Sequence, residues 1–318
     1  MTIGAAPMPK GIFTYAWRTS GRHQLWLCGL AIMIFLLTMA PLELQRRIVN
    51  SALEAGVIDR VVWLCVAYAA LVVGAGGIKL GFNVYRGWIS ENAVRDLRTR
   101  VYDHAVERTD SSDVEQEGVG MSIILAEVEP VGGFVGMSFS EPLMQLGTLL
   151  TVFGYMIVLQ PWMAAFSIGL FSVQVLFIPR MQRLINRHAA SRIQVMRELS
   201  GAMIDDLGPG PTSAERRKIF HLRVDRIFGL NMRIFCWKFT MNFLMNLTHH
   251  LGVIGVLLVG GWFIVHHQLE VGTVVAFITG LKQVIDPWGD LINYFREMTV
   301  SQVKYRLIAN VLDGPAAS

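Results

Sequence analysis

"WISENAVRDLRTRVYDHAVER", residues Trp88–Arg108, reads as a helix with two unlike faces. Val94, Leu97, Val101 and Ala105 recur at steps of three and four, and charged residues fill the positions between them. No Gly or Pro interrupts Trp88 to Arg108, so the helix is expected to continue directly from the apolar stretch that precedes it, Val61–Asn83. From Asn83 to Asp110 is 27 residues. At about 1.5 Å per residue, such a helix projects roughly 40 Å past the end of the apolar stretch.

Working outward, the chain has the composition of a polytopic membrane protein. It is 53% hydrophobic and only 16% charged over 318 residues, against about a quarter charged in ordinary globular domains. Six apolar stretches are long enough to cross hydrocarbon: 25–42, 61–83, 143–159, 162–179, 239–265 and 271–295. The third and fourth are separated only by Gln160-Pro161. Residues 1–22 lack the apolar run of a cleavable signal, and Ile12, Phe13, Ala16 and Trp17 fall at helical spacing, as in a helix lying along a membrane surface. Cys28, Cys65 and Cys236 sit in or beside apolar runs and read as small hydrophobes, not bridges or metal ligands.

Basic residues orient the bundle. Only Arg46, Arg47 and Arg60 fall in the loops assigned outside, whereas Arg180–Lys238 alone carries twelve Lys and Arg. The positive-inside bias places both termini in the cytoplasm of a multi-pass protein of the inner (plasma) membrane. The two intracellular stretches, 84–142 and 180–238, are patterned like helices. "MQRLINRHAASRIQVMRELSGAMIDDL" repeats the design of the first arm. Each excursion turns at a tip, "TDSSDVEQEGVG" (Thr109–Gly120) and "GPGPTSAERRK" (Gly208–Lys218), and the tips are expected to meet another protein. The contacting residues are Asp113, Glu115, Glu117, Gly118, Met121 and Ile123 in the first tip. In the second they are Thr212, Ser213, Glu215, Arg216, Arg217 and Phe220, with Thr212 or Ser213 capping a short helix.

The last span departs from ordinary membrane sequence. In "EVGTVVAFITGLKQVIDPWGDLINYF" (Glu270–Phe295), Thr279, Lys282, Asp286, Asp290, Asn293 and Glu297 just beyond follow at three- or four-residue steps and share one face. Lys282 lies about 14 Å along the helix from Thr273. Charges at that depth cost about 2.5–3.5 kcal/mol on insertion scales, so they face water, partners or each other. Pro287 removes a backbone hydrogen bond and is a position for a kink. The fifth span carries Lys238, Asn242, Asn246 and His249, the second Lys79, Asn83 and Arg86, and Glu141 stands at the head of the third. Lys282, Asp286, Asp290, Asn293, Asn242, Asn246, His249, Lys79 and Glu141 are candidates for lining a path across the membrane. For Asn242, Asn246, Lys79 and Glu141 the competing reading is interhelical pairing that holds the bundle together.

Three stretches carry a family resemblance. "LRTRVYDHAVER…EGVGMSIILAEVEPV", "WMAAFSIGLF" and above all "HHQLEVGTVVAFITGLKQVIDPWGDLINYFREMTVSQVKYRLIANVLD" resemble the first intracellular loop, fourth span and sixth span of an ABC exporter transmembrane domain. The resemblance implies an all-α, six-span permease half with long intracellular helices, working as a homo- or heterodimer. It implies a separate nucleotide-binding ATPase subunit carrying ATP and Mg, since the sequence reaches "VLDGPAAS" about where a linker to such a domain would begin. No Gly-x-x-x-x-Gly-Lys-[Ser/Thr] loop occurs. "GAGGIKLG" (Gly74–Gly81) lies within a span, where Gly77 and Gly81 read as close helix packing, and "ELSGAM" (Glu198–Met203) reads as a chance match to the family signature. The chain is therefore expected to be no enzyme by itself, to hold no cofactor or metal, and to bind no nucleic acid. Two further classes stay open on the same scaffold: an ATP-independent, proton-coupled transporter using Asp286, Lys282, His249 and Glu141, or a non-transporting membrane scaffold.

Overall fold

A computed structural model describes residues 8–53, 58–108, 127–205 and 213–312. Every described element is an α-helix: α1 (Ile12–Leu37), α2 (Met39–Leu53), α3 (Ile58–Arg108), α4 (127–137), α5 (Ser140–Leu159), α6 (Pro161–Asp205), α7 (Ser213–Val265) and α8 (Val271–Leu312). The chain forms two compact units, the first from α1 to α5 with α8 and the second from α6 and α7.

The expected arm is present. α3 is one helix of 51 residues, about 75 Å long at 1.5 Å per residue. Its first half exposes Trp63, Val66, Val73 and Leu80, while its second half buries Ile89, Ala93, Val94, Leu97 and Val101. The buried face is the one the three-and-four spacing picks out.

In the first unit this arm is a scaffold for a continuous apolar core. Ile12, Tyr15 and Ala16 of α1, Leu97 and Val101 of α3, Val128, Val131 and Phe134 of α4, and Tyr294, Tyr305 and Ile308 of α8 pack together. Each large side chain so buried contributes about 1.5–3 kcal/mol. Tyr15 donates to Asp96 at 2.8 Å, and Asp96 also receives Arg100 at 3.0 Å, so the hydroxyl and carboxylate at the rim are satisfied. Lys304 on α8 pairs with Glu127 on α4 at 2.6 Å. Ile12 and Ala16, which resemble a lipid-facing stripe in the sequence, are therefore turned into protein. Phe13 and Trp17 make edge contacts with Phe139. The first turns of α1 separate from its membrane portion at Ser20, where φ −140° and ψ 24° leave helical geometry. Gln24 holds that break by donating to Ser20 Oγ at 3.2 Å and to the carbonyl of Val135 at 2.8 Å.

Close helix approach occurs at glycines other than the expected pair. Within the first unit, nothing lies within 4 Å of a Cβ added at Gly77 or Gly81. It is Gly132 and Gly136 of α4 that press against α3, where an added Cβ would strike Val94, Ser90 and the carbonyl of Arg86. The two positions are one turn apart, so α4 meets α3 along a strip without side chains.

At the other end of the first unit, α2 is tied to the start of α8. Arg46 pairs with Glu43 at 2.9 Å and with Glu270 at 3.0 Å. Asn50 accepts the N–H of Gly272 at 2.8 Å, satisfying one of the free donors at the α8 N-terminus. Gly272 is required here, because a Cβ would run into the Arg46 carbonyl and the Asn50 amide.

Five helical stretches, over Ile12–Leu53, Ile58–His104, Ser140–Leu159, Pro161–Met196 and Arg217–Val265, are long and apolar enough to cross a membrane. α8 is not among them, which departs from the six expected. Lys282, Asp286 and Asp290 dilute its apolar character. α8 nevertheless runs as one helix through Pro287, as α6 does through Pro179, so neither proline ends its helix. In the second unit, α6 and α7 pack along each other, joined by Gln174 Nε2 donating to the Met245 carbonyl at 3.3 Å and Arg192 donating to Asn231 at 3.3 Å.

Candidate functional site: a polar junction among three helices

The α8 stripe lies opposite the helix's buried side. Leu281, Val284, Leu291 and Tyr294 face the core of the first unit, while Lys282, Asp286, Asp290 and Asn293 are exposed. The division follows from helical periodicity, because each polar residue stands three or four positions from the next. No ion pair links Lys282 to Asp286 among the described residues, so neither charge is neutralised by the other through direct contact.

Around Asp290 the stripe meets two further helices. Gln145 on α5 places Nε2 2.7 Å from Glu141 Oε1 and 3.2 Å from Asp290 Oδ2, so one amide bridges two carboxylates. Arg86 on α3 approaches Glu141 Oε2 with Nη1 at 2.5 Å. Glu141 is 6% exposed and Gln145 5%, which makes the pairing obligatory: a charge so buried needs a partner. Arg86 also lies over the Phe82 ring, 5.8 Å from its centroid. The charges acting on Asp290 are those of Glu141 and Asp286, opposed by Lys79 and Arg86. Four of the nine pathway candidates, Lys79, Glu141, Asp286 and Asp290, thus belong to one electrostatic group. Lys282 and Asn293 continue it along the exposed face of α8.

Gln145 and Arg86 are the members that sequence reasoning left out of the site. Arg86 is visible as the next polar residue after Lys79 and Asn83 on one helical face. Gln145 has one signal only, its place one turn after Glu141 in an otherwise apolar run. Just beyond the junction, the Tyr294 hydroxyl donates to the Ser138 carbonyl at 2.6 Å, fixing α8 to the break between α4 and α5.

The remaining candidates lie in the second unit. Asn242 and Asn246 on α7 are exposed, and His249 is half-buried with its ring 5.5 Å from that of His250. Of the tip residues, Asp113, Glu115, Glu117, Gly118, Met121, Ile123 and Thr212 lie outside the described residues. Ser213 begins α7, with Glu215 and Arg216 in the same helix. Arg217 is exposed, and Phe220 is half-buried with its ring 6.0 Å from that of His221. The short capped helix expected from Thr212 or Ser213 is the opening turn of a 53-residue helix instead of a separate element. No group of three or more His, Cys, Asp or Glu side chains is placed to hold a metal ion among the described residues.

Chemically, the junction sets a buried ion pair, Arg86 with Glu141, beside an exposed face that carries Lys282, Asp286 and Asp290, an arrangement that can bind or gate.

Comparisons with known proteins agree with this architecture. YgaD of Bacillus subtilis (strain 168), a protein whose name describes a multidrug export ATP-binding/permease, is 19% identical over 246 residues. The similarity takes in 75% of this chain and 42% of that relative, so the chain spans about two fifths of the relative's length. The family described as ABC transporter transmembrane region matches residues 25–208, more than half of the 318 residues. A multi-pass, all-helical chain with arms of this length and a match of this extent belongs to the family of ABC transporter transmembrane regions.

Proposed function

We propose that the chain is the membrane subunit of an ABC-type exporter that forms the substrate path as a dimer and is driven by a separate ATPase subunit. The observation carrying this reading is the unbroken continuation of α3 from an apolar, exposed half into an amphipathic arm packed with α1, α4 and α8. A helix of that length conveys displacement at one end to the other without bending at an intervening loop. ATP with Mg binds on the ATPase subunit. Its closure pushes the tips at 113–123 and 212–220, and the arms turn that push into rocking of the membrane helices. In this reading α8 is the sixth span, its charged face turned to the aqueous path where a lipid-facing position would be costly. The arms point into the cytoplasm, both termini lie there, and the membrane is the inner (plasma) membrane, as the concentration of basic residues in the arms supports. Export is the direction named for the Bacillus relative.

Cysteines placed at Glu117 and Glu215 test the assembly by cross-linking in native membranes. A conjugate with an ATPase subunit is the expected result; conjugates with none, in membranes that transport, would overturn the reading.

A second reading rests on one observation, the single Gln145 amide shared by Glu141 and Asp290. The amide only positions the two carboxylates; Asp290, on the exposed face, is the group placed to take a proton from an aqueous path, as a proton-driven transporter requires. Uptake into vesicles that follows an imposed pH gradient and disappears in Asp290→Asn favours it; uptake indifferent to collapse of the gradient excludes it.

A further inference from the structure

Within the second unit, α6 and α7 border an open groove of about 420 Å³ lined by His188, Ser191, Arg226, Gly229, Leu230 and Arg233, of which Ser191 and both arginines are exposed. No carboxylate lines it. Arg226 and Arg233 stand two turns apart on α7, so both point to the same side of the helix, and Gly229 between them leaves the floor open. His188 and Ser191 face them from α6, one turn apart. Neither arginine forms an ion pair or donates a hydrogen bond among the described residues, unlike Arg192, which is held by Asn231, and Arg223, which is held by the Glu198 carbonyl. Two free guanidinium forks, a hydroxyl and an imidazole converging on one space match the donor demands of a tetrahedral oxyanion.

The depth of the groove narrows the ligand. Arg233 precedes the apolar run beginning at Phe239 by six residues and Arg226 by thirteen. At 1.5 Å per residue these positions are about 9 and about 20 Å below the start of that run. The headgroup layer is about 5–8 Å thick on each side, so Arg233 stands at its water-facing edge, where anionic lipids still attract basic side chains, and Arg226 stands in the water beyond it.

We propose that the α6–α7 groove is a phosphoryl-anion site, with Arg226 and Arg233 as its principal ligands and His188 and Ser191 completing the cradle. The same chemistry serves the headgroup of an anionic phospholipid or free inorganic phosphate. Occupation would neutralise both arginines and fasten the two helices to each other across the groove.

The test uses the purified full chain in nanodiscs. One arm compares phosphatidylglycerol with phosphatidylcholine and reads retained lipid by native mass spectrometry. The other titrates inorganic phosphate against chloride at constant ionic strength, in phosphatidylcholine discs, and reads thermal unfolding. Lipid retention identifies a headgroup as the natural source; a phosphate-dependent rise in unfolding temperature identifies free phosphate. Arg226→Gln with Arg233→Gln should weaken the effective ligand about tenfold or more, the loss expected for charged hydrogen bonds. Arg95→Gln with Arg98→Gln, which removes the same charge from α3, should leave binding unchanged. Gly229→Glu keeps both arginines and should also abolish binding, and circular dichroism establishes that it remains helical. Absence of binding in both arms overturns the site. So does equal binding by wild type and the Arg226/Arg233 variant, equal loss in the Arg95/Arg98 variant, or wild-type binding by Gly229→Glu.

Discussion

Arg86 Nη1 stands 2.5 Å from Glu141 Oε2, so a charged pair fastens α3 to α5 next to the exposed stripe of α8. Glu141 is buried where water barely reaches it, and Arg86 is the cation in direct contact with it. Replacing one partner strands the other, which costs about 3–5 kcal/mol. Arg86→Met is therefore expected to lower stability by about that amount, and Arg86→Met with Glu141→Leu to recover most of it. Unfolding of the detergent-solubilised chain, followed by circular dichroism across the double-mutant cycle, measures both.

Asp290 is a different case, because it is exposed and, among the described residues, its hydrogen bond is to the shared Gln145 amide. Asp290→Asn keeps the size of the side chain and its contact with Gln145 while removing the charge. It should shift stability by less than about 1 kcal/mol. If the stripe lines the path, it should lower transport about tenfold in vesicles containing the ATPase. Equal transport by Asp290→Asn, Asp286→Asn and wild type would assign the stripe to bundle packing.

The glycine contacts yield a paired prediction. Gly136→Leu drives a side chain into Ser90 and the Arg86 carbonyl, and overpacking of this kind costs about 1–3 kcal/mol or more. Gly77→Ala meets nothing within the first unit and removes a helix-weakening residue, so the isolated chain should lose no stability. Thermal unfolding of the two variants separates the contact that exists from the one that sequence spacing alone implies.

Where α2 meets the start of α8, Glu270 is largely exposed and its pair with Arg46 contributes little, about 0–1 kcal/mol. Asn50 accepts a free N–H in the first turn of α8, that of Gly272, and should matter more: Asn50→Ala is expected to cost about 1 kcal/mol, as loss of a helix cap does. Comparing Glu270→Gln with Asn50→Ala by thermal unfolding checks the order.

What the sequence made legible was periodic. Val94, Leu97 and Val101 repeat with the helix and are buried together, and the stripe from Lys282 to Asn293 repeats and is exposed together. What it concealed was pairwise. Gly77 and Gly81 have the same spacing as Gly132 and Gly136, and only the neighbour across the gap distinguishes them. Ile12 and Ala16 form an apolar face equally suited to lipid and to protein, and in the structure it is buried in the core that also holds Leu97 and Tyr305. Gln145 is one polar residue in an apolar helix, and its role depends on Asp290, which lies 145 positions away. Helix faces are local properties of a sequence; their partners are not.

The most direct test of an ATP-driven membrane subunit is cargo accumulation in vesicles carrying the chain with its ATPase, compared with vesicles carrying the chain alone. Accumulation that requires the chain, the ATPase and ATP with Mg together is the predicted result. Accumulation by the chain alone, undiminished when ATP is withheld, would contradict it.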